Sequence, residues 1–413
     1  MNQGPSNGMQ PRSARGSLVQ GARRPLAALV AAAALGLGMI SAPNGAAAAP
    51  GDGVGCGYGS GGPFADTLCW IDMSGYVDAT ARSGAGQQMS VTLPGGYTVN
   101  FTVRTSGTRN IVASVFPTWD YGAAAGKYIY LSTPGSPALY QTVGGGAAFT
   151  TIALTDIAVT DGGGNAVRGW RFIGVDAEAT ADSESITFSS NVAVSTLATF
   201  DPPGVNNGCQ LNVVQVDANT INCTGAAGGD VYGTVLVGAT EPSSFSQTMT
   251  VGNGASREGV AFAFQSSTIS VGANVASRVS PSDSFEVSVI SPESQVVGTN
   301  GTGMTDTAST GDLVVLPRVD GTSYTLREVA GAGTDLSAYD LSWACTRNGV
   351  ADPSLTATGV ASITVSPAAG DAIACVVTNA VDPTPDTTVP TTASTTTTRP
   401  SGVVPVVTPQ FTG

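Results

Sequence analysis

Residues 88–105 read Q-M-S-V-T-L-P-G-G-Y-T-V-N-F-T-V-R-T, and they give the clearest indication of the fold. Two segments rich in Thr, Val and aromatic residues, 88–93 and 97–105, flank the turn signal Pro94-Gly95-Gly96. Such residues favour strands, whereas Pro and Gly interrupt them. The same pattern recurs in further β-rich segments, at 127–131, 150–159, 169–175, 185–188 and 261–271. About 200 residues of this pattern without a helical period predict a jelly-roll-like β-sandwich.

A second, smaller unit follows from residue 271 to residue 381. Its β-rich segments lie at 284–290, 312–316, 323–328, 341–346, 361–365 and 372–379. Roughly 110 residues with about seven short strands is the size of a prealbumin- or immunoglobulin-like sandwich. Residues 382–413 are rich in Thr, Pro and Val, which predicts a disordered stalk because such a segment cannot bury a core. We therefore expect an all-β protein with two sandwiches, the first over residues 50–270.

The composition argues against several kinds of function. Histidine is absent, which removes Ser-His-Asp and Cys-His catalysis as well as His-ligated zinc. The 29 acidic residues outnumber the 16 basic ones, and the net charge is −13. Because so acidic a surface repels polyanions, neither nucleic acid nor an anionic membrane is an expected partner. A glycosidase that uses carboxylates alone stays open, with Asp72, Asp120, Asp176 and Glu178 as its candidate residues.

Residues 1–49 have the pattern of a signal peptide. Arg23-Arg24 precede an apolar run from Leu26 to Ile40, and four alanines at 46–49 supply the small residues that cleavage before Pro50 needs. The apolar run is shorter than a membrane span requires. We expect general secretion of a chain that is released or held at the cell surface, without a stable membrane span in its mature form. An uncleaved N-terminal anchor is the alternative.

Six cysteines follow the predicted cleavage site, and an even number in an exported protein favours disulfides over thiols or metal ligands. Count alone leaves many pairings open. The domain boundaries favour pairing between neighbours in sequence, namely Cys56–Cys69, Cys209–Cys223 and Cys345–Cys375. None of the spacings is the Cys-x-x-Cys that is typical of zinc sites.

An acidic group in the first unit is a candidate metal site. Its members are Asp176, Glu178, Asp182 and Glu184, and two further aspartates, Asp156 and Asp161, lie upstream. Alternation along a strand places Asp176 and Glu178 on one face, and the other two follow in a turn. Ca²⁺ prefers several carboxylate and carbonyl oxygens, so the group is a candidate Ca²⁺ site. It matches no EF-hand, and the alternative interpretation is a solvated face of an acidic protein.

Trp119-Asp120-Tyr121 is the candidate ligand-binding segment, followed by a loop of small residues at 122–126. An exposed aromatic ring can stack on the apolar face of a sugar, while a neighbouring carboxylate accepts hydrogen bonds from hydroxyls. Trp70 and Trp170 lie inside predicted strands instead, and we expect them in the core. Trp119 is therefore the tryptophan that we expect at the surface.

Residues 68–76 (L-C-W-I-D-M-S-G-Y), 169–172 (G-W-R-F), 175–180 (V-D-A-E-A-T) and 184–186 (E-S-I) carry a resemblance to a known family. They resemble the lectin-like, non-repetitive domain of CshA-type fibrillar adhesins, over about residues 64–270. The resemblance implies a jelly-roll sandwich that binds a host or matrix protein or a carbohydrate, and it implies no catalysis.

The second unit is similar to the prealbumin-like domains of bacterial surface proteins, the Cna-B/SpaA type. The similarity rests on 324–328 (Y-T-L-R-E), 343–345 (W-A-C) and 375–379 (C-V-V-T-N). In many such domains a lysine on the first strand bonds covalently to an asparagine on the last, with a glutamate assisting. Glu328 and Asn379 stand at the matching places, but the only lysine of the chain is Lys127. This bond is therefore chemically impossible here, and we expect Cys345–Cys375 to stabilise the domain instead.

These observations lead to one main hypothesis and two alternatives. The main hypothesis is a secreted or surface adhesin-like protein, not an enzyme, whose first domain binds a matrix protein or glycan. The first alternative is a structural envelope or stalk protein without a specific ligand. The second is the carboxylate-dependent glycosidase.

Overall fold

The computed structural model describes residues 55–120, 122–180, 184–200, 213–225, 233–252 and 256–381. The predicted signal peptide (1–49) and the Thr/Pro-rich stalk (382–413) lie outside these residues. Among the described residues, no helix has the length and apolar character that crossing a membrane requires. Strands dominate throughout, so the prediction of an all-β protein is confirmed.

The described residues of the first sandwich form one short helix, α1 (Asp78–Ala81), and otherwise strands and the loops between them. Its strands within the described residues are β1 (Cys56–Gly57), β2 (Leu68–Ile71), β3 (Gln87–Leu93), β4 (Tyr97–Gly107), β5 (Ile111–Ser114), β6 (Ala138–Gln141), β7 (Ala148–Thr160), β8 (Arg171–Asp176), β9 (Ser185–Ser190), β10 (Val194–Phe200), β11 (Val213–Asp217), β12 (Thr220–Thr224), β13 (Thr234–Thr240), β14 (Ser244–Val251) and β15 (Gly259–Gln265).

Two sheets form this sandwich. One has the order β1-β2-β15-β8-β13-β10, with β6 pairing to both β15 and β5, and the other has the order β11-β12-β9-β14-β7-β4-β3. The segment around Pro94 is a hairpin, since β3 pairs antiparallel with β4 and Leu93 lies opposite Tyr97. Strand β15 is distant in sequence from β2 and β8, yet it lies between them.

Aromatic side chains fill the space between these sheets. Phe172 on β8 packs against Phe245 on β14 in the other sheet, with 5.3 Å between ring centroids. Gly174 makes room for this contact, because an ideal Cβ there would lie 2.4 Å from Phe245 Cε1. Trp70 and Trp170 are both buried, which confirms that they are core residues.

The second sandwich begins at β16, and its strands are β16 (Ser267–Val275), β17 (Phe285–Ile290), β18 (Val296–Gly301), β19 (Thr307–Ser309), β20 (Leu313–Val315), β21 (Tyr324–Ala330), β22 (Tyr339–Arg347), β23 (Val350–Ala351), β24 (Ala357–Thr358), β25 (Ser362–Val365) and β26 (Ala372–Val381). Two short 3₁₀ helices, Leu336–Ala338 and Pro353–Leu355, precede β22 and β24.

One sheet of this sandwich has the order β19-β16-β26-β22-β23, with β20 also paired to β16 and β24 to β22, and the other has the order β18-β17-β21-β25. The first and last strands, β16 and β26, run parallel to each other. The core between the sheets contains the fully buried Phe285, Tyr324 and Trp343.

A single residue, Ser266, separates the two sandwiches. Its backbone N–H donates to Thr67 O on one side (2.7 Å), and its carbonyl accepts from Gly370 N on the other (3.1 Å). Leu316 of the second sandwich packs into the hydrophobic core of the first. The sequence predicts a domain boundary at residue 270. In the structure the first sandwich ends with β15 and the second begins with β16, on either side of Ser266.

Two of the three predicted disulfides are confirmed. Cys56–Cys69 joins β1 to β2, and Cys345–Cys375 joins the facing positions of β22 and β26. Cys223 is disulfide-bonded as well, whereas Cys209, its predicted partner, lies outside the described residues. Both confirmed bonds close short loops. Each therefore stabilises the fold by limiting the conformational freedom of the unfolded chain.

Candidate metal centre

Four acidic residues meet where β8 ends and where β9 and β15 begin. Asp176 is the last residue of β8, Glu178 follows it, Glu184 precedes β9 and Glu258 precedes β15. Strands β8 and β15 are antiparallel neighbours, with Asp176 opposite Val260, so residues after β8 lie beside residues before β15. Strand β9 belongs to the opposite sheet. Residues from both sheets therefore converge at this end of the sandwich.

Asp176 shapes the loop that carries Glu178. Its carboxylate accepts hydrogen bonds from Glu178 N (3.0 Å) and from Thr180 Oγ1 (2.9 Å). Its carbonyl accepts one from Thr234 Oγ1 on the neighbouring strand β13 (2.5 Å). These bonds show that Asp176 fixes the turn, and each of its carboxylate oxygens accepts one hydrogen bond within that turn.

The three glutamates each bring one carboxylate oxygen close to those of the other two. These oxygens of Glu178, Glu184 and Glu258 all lie within 4.8 Å of one another. Their side chains are buried, with 6%, 5% and 0% of the residue surface exposed. Glu178 Oε2 accepts a hydrogen bond from Ala179 N (2.7 Å). Such a group of oxygens is the kind that binds hard cations.

Glu258 is the most unusual member of the cluster. Gln141 fixes its backbone, since Gln141 N donates to Glu258 O (3.0 Å) and Glu258 N donates to Gln141 Oε1 (3.1 Å). Both of its carboxylate oxygens are buried, and neither has a partner at good hydrogen-bond geometry among the described residues. The nearby N–H of Gly259 only partly offsets the effect of burial on the pKa of this group. A buried acceptor without a partner costs about 1–3 kcal/mol, and more if it is charged.

Burial also changes the acidity of these groups. It raises the pKa of Asp176 to about 7, against the hydrogen bonds from Glu178 N and Thr180 that lower it. It raises the pKa of Glu178 and Glu258 well above the usual range, and repulsion from the neighbouring carboxylates adds to this effect. Within the described part of the chain, no arginine or lysine forms an ion pair with Glu178 or Glu258. Arg257, the neighbour of Glu258 in the chain, supplies some positive charge, because it lowers the pKa of Glu178. A cation bound among the carboxylates would stabilise their charged form further.

The structure brings together three of the four residues proposed as metal ligands from the sequence, namely Asp176, Glu178 and Glu184. Asp182 lies outside the described residues. Sequence reasoning missed Glu258, for which the only local signal is an acidic residue three positions before the predicted strand at 261–271. Asp161 has another role, because it accepts hydrogen bonds from Gly163 N (2.9 Å) and Asn165 N (2.8 Å) in its own turn.

A hydrogen bond connects the predicted ligand-binding segment to this cluster. Thr118 Oγ1 donates a 2.7 Å hydrogen bond to the carbonyl of Ala177, which stands between Asp176 and Glu178. Trp119 is half-buried and Asp120 is exposed. Tyr121 lies outside the described residues. The segment before residue 121 is thus attached directly to the acidic loop.

The glycosidase candidates do not form a separate pair of exposed carboxylates. Asp72 accepts hydrogen bonds from Ser74 N (3.0 Å), Ser74 Oγ (3.0 Å) and Ser136 N (2.9 Å), which ties two turns together. Asp120 is exposed, whereas Asp176 and Glu178 are buried in the cluster. The hydrogen bonds to Asp72 indicate that this residue stabilises the turns that it connects.

The second sandwich contains a different buried carboxyl group. Asn379 Nδ2 donates to Glu328 Oε1 (2.8 Å), and both residues are almost completely buried. Glu328 Oε2 and Asn379 Oδ1 have no hydrogen-bond partner. Burial raises the pKa of Glu328 to about 7, although the bond from Asn379 lowers it. Val275 lies opposite Asn379 on the first strand, where no lysine is present.

Comparison with known proteins identifies the second sandwich. Residues 268–381 match the family of prealbumin-like fold domains. The major pilin T-13 of Streptococcus pyogenes is 11% identical, with 52% of this chain and 98% of that chain covered and a TM-score of 0.19. A second major pilin of Streptococcus pyogenes is 13% identical, with 52% and 99% covered and a TM-score of 0.19. No curated protein matches the chain significantly. The second sandwich is therefore a prealbumin-like domain.

Proposed function

We propose that the chain is an extracellular surface protein whose prealbumin-like domain presents the first sandwich, in a fixed orientation, to a protein or glycan ligand. The observation that carries this proposal is the junction, where one residue connects two sandwiches that also share side-chain contacts. The signal-peptide pattern and the disulfides support an extracellular location.

Arg318 is the centre of the junction. Its guanidinium donates to both carboxylate oxygens of Glu293 (2.9 Å each) within the second sandwich, and to the carbonyl of Arg168 in the first (2.9 Å). The Arg318 side chain has 0% exposure and that of Glu293 has 12%. Bidentate pairs of this kind fix orientation as well as distance.

Two tyrosines extend the junction. The hydroxyl groups of Tyr97 and Tyr324 lie 3.0 Å apart, and Tyr324 also donates to the carbonyl of Leu316. Leu316 itself contributes to the core of the first sandwich. Because polar and apolar contacts both cross the junction, bending between the domains requires breaking buried interactions. Such resistance to bending fits a domain that holds the first sandwich in a fixed orientation.

Ligand binding by the first sandwich rests on two supports. Residues 64–270 resemble the lectin-like domain of CshA-type adhesins, and the segment at Trp119 and Asp120 has the residue types that contact sugars or proteins. The hydrogen bond from Thr118 to Ala177 anchors this segment to the rigid end of β8. A rigid scaffold beneath an accessible loop is the usual arrangement of a binding site.

A glycan array and a panel of matrix proteins, probed with the full secreted chain, test the proposal. We expect a ligand whose binding falls when Trp119 and Asp120 are both replaced by alanine. The matched control is Phe149→Ala, which removes an exposed aromatic ring on β7, away from this segment. Absence of any ligand, together with self-association of the chain in size-exclusion chromatography, would instead support the structural alternative, which the junction also fits.

We propose no catalytic role. Among the candidate carboxylates, Asp176 and Glu178 are buried and Asp72 is engaged in its turn. Asp120 is the exposed one among these four, so they do not include two exposed carboxylates. Turnover on a panel of polysaccharides that disappears in an Asp120→Asn variant would contradict this part of the proposal.

A further inference from the structure

Glu258 is buried in an unusual environment. A glutamate with 0% exposure and two unpartnered carboxylate oxygens is rare, because burial without a partner is costly. Gln141 binds both the N–H and the C=O of Glu258, which fixes the point on the backbone from which this side chain extends into the cluster. The carboxylate is thus held in place facing Glu178 and Glu184.

We propose that Glu178, Glu184 and Glu258 bind one Ca²⁺ ion between the two sheets of the first sandwich. The cation would give the Glu258 oxygens the partner that the protein does not provide. Asp176 would position the loop of Glu178 through its hydrogen bonds and would add negative charge nearby.

The spacing of the three oxygens fits this ion. Ca²⁺ binds oxygen at about 2.3–2.6 Å, so oxygens on opposite sides of the ion lie up to about 5 Å apart. The three glutamate oxygens all lie within 4.8 Å of one another, which is inside that limit. Zn²⁺ and other transition metals favour nitrogen or sulfur ligands, and the cluster has neither. Mg²⁺ keeps several of its waters, for which a buried group of carboxylates is less suited.

The site would connect parts of the fold that are far apart in sequence. Glu178 and Glu258 flank β8 and β15 in one sheet, and Glu184 starts β9 in the other. A cation there would join the two sheets at this end of the sandwich. Through the bond between Thr118 and Ala177 it would also stabilise the base of the segment with Trp119.

Calorimetric titration of the chelator-treated full chain with CaCl₂ tests the proposal. We expect one site per chain with a dissociation constant of about 10⁻⁴ M or lower, in or below the range of extracellular calcium modules. The variant Glu258→Gln should bind at least ~10–100-fold more weakly, because a ligand is lost. The control Glu328→Gln, a buried carboxyl in the other sandwich, should bind as the wild type does. MgCl₂ should bind more weakly than CaCl₂.

Absence of binding to the wild-type chain at millimolar CaCl₂ would overturn the proposal, as would undiminished binding by a Glu258→Gln variant with a native near-UV spectrum. If that variant does not fold, Glu178→Gln takes its place, and the wild-type titration remains decisive. Binding of MgCl₂ as tightly as CaCl₂ would overturn the assignment to Ca²⁺. The titration contains no protein or glycan ligand, so its outcome is independent of the proposed function.

Discussion

The two sandwiches each bury a carboxyl group with a raised pKa, and they do so in different ways. In the second sandwich Glu328 faces one amide, that of Asn379. If Glu328 carries a proton, the group can donate to Asn379 Oδ1, so that the pair satisfies itself. In the first sandwich Glu258 faces other carboxylates instead. A raised pKa therefore reports burial, whereas the proposed cation site rests on three carboxylate oxygens that lie within 4.8 Å of one another.

The largest expected effect is the loss of coupling between the two sandwiches when their junction is disrupted. Replacing Arg318 by alanine leaves Glu293 buried without its partner and removes the bond to Arg168. Loss of one partner of a buried ion pair costs about 3–5 kcal/mol. We expect two separate calorimetric unfolding transitions in place of a coupled one. A single transition at the wild-type temperature would show that the junction does not couple the domains.

Removal of the Cys345–Cys375 disulfide should weaken the second sandwich and leave the acidic cluster of the first unchanged. The bond spans 30 residues, and closing a loop of this length is worth about 3–4 kcal/mol in the chain-entropy treatment. The double alanine variant should unfold at lower urea concentration in this domain and keep its affinity for CaCl₂. A change in that affinity would mean that the two regions are not independent.

Calcium should stabilise the first sandwich by a slightly smaller amount. A ligand present at 100 times its dissociation constant adds about 2.7 kcal/mol. For a domain of this size that corresponds to a rise of roughly 5–10 °C in the unfolding temperature. Differential scanning calorimetry with CaCl₂ or with chelator measures the shift. We expect it to be lost in Glu258→Gln and kept in Glu328→Gln.

The smallest expected effect concerns the pH dependence of the second sandwich. The pKa of Glu328 rises to about 7 on folding, so the folded chain holds a proton that the unfolded chain has lost above about pH 4.5. This contribution is fully present below pH 4.5 and is lost as the pH rises through 7. Glu328→Gln should remove it and stabilise the domain at pH 7.5 by roughly 1–2 kcal/mol, because the new amide can donate to Asn379 Oδ1.

Urea unfolding of the wild type and of Glu328→Gln at pH 5 and pH 7.5, with CaCl₂ saturating in both, measures this difference. The two proteins should differ more at pH 7.5 than at pH 5. An equal difference at both values would mean that Glu328 stays ionised in the folded protein.

Alternation and turn signals predicted much of the fold, and they failed where long-range packing decides the structure. The hairpin around Pro94 follows from local sequence, and so does β7. The predicted strand at 127–131 is wrong, since Tyr130 has a φ of 53° and the chain makes a turn there. The segment 261–271 has one continuous pattern, yet it contains the end of β15 and the start of β16. Periodicity does not show that Ser266 divides two domains.

The candidate site was likewise only partly predictable from the sequence. Asp176, Glu178 and Glu184 lie within nine consecutive residues, so their proximity has a local cause. Glu258 joins them only because β15 lies beside β8 in the sheet. That pairing depends on the whole topology, which no local pattern in the sequence specifies.

A crystal structure of the full chain grown with CaCl₂, with anomalous data collected at long wavelength, tests the central claim most directly. We predict one anomalous peak at about 2.3–2.6 Å from an oxygen of each of Glu178, Glu184 and Glu258, and no peak at Glu328. Direct hydrogen bonds between these carboxyl groups, without a peak among them, would show that the cluster shares protons and would contradict the assignment.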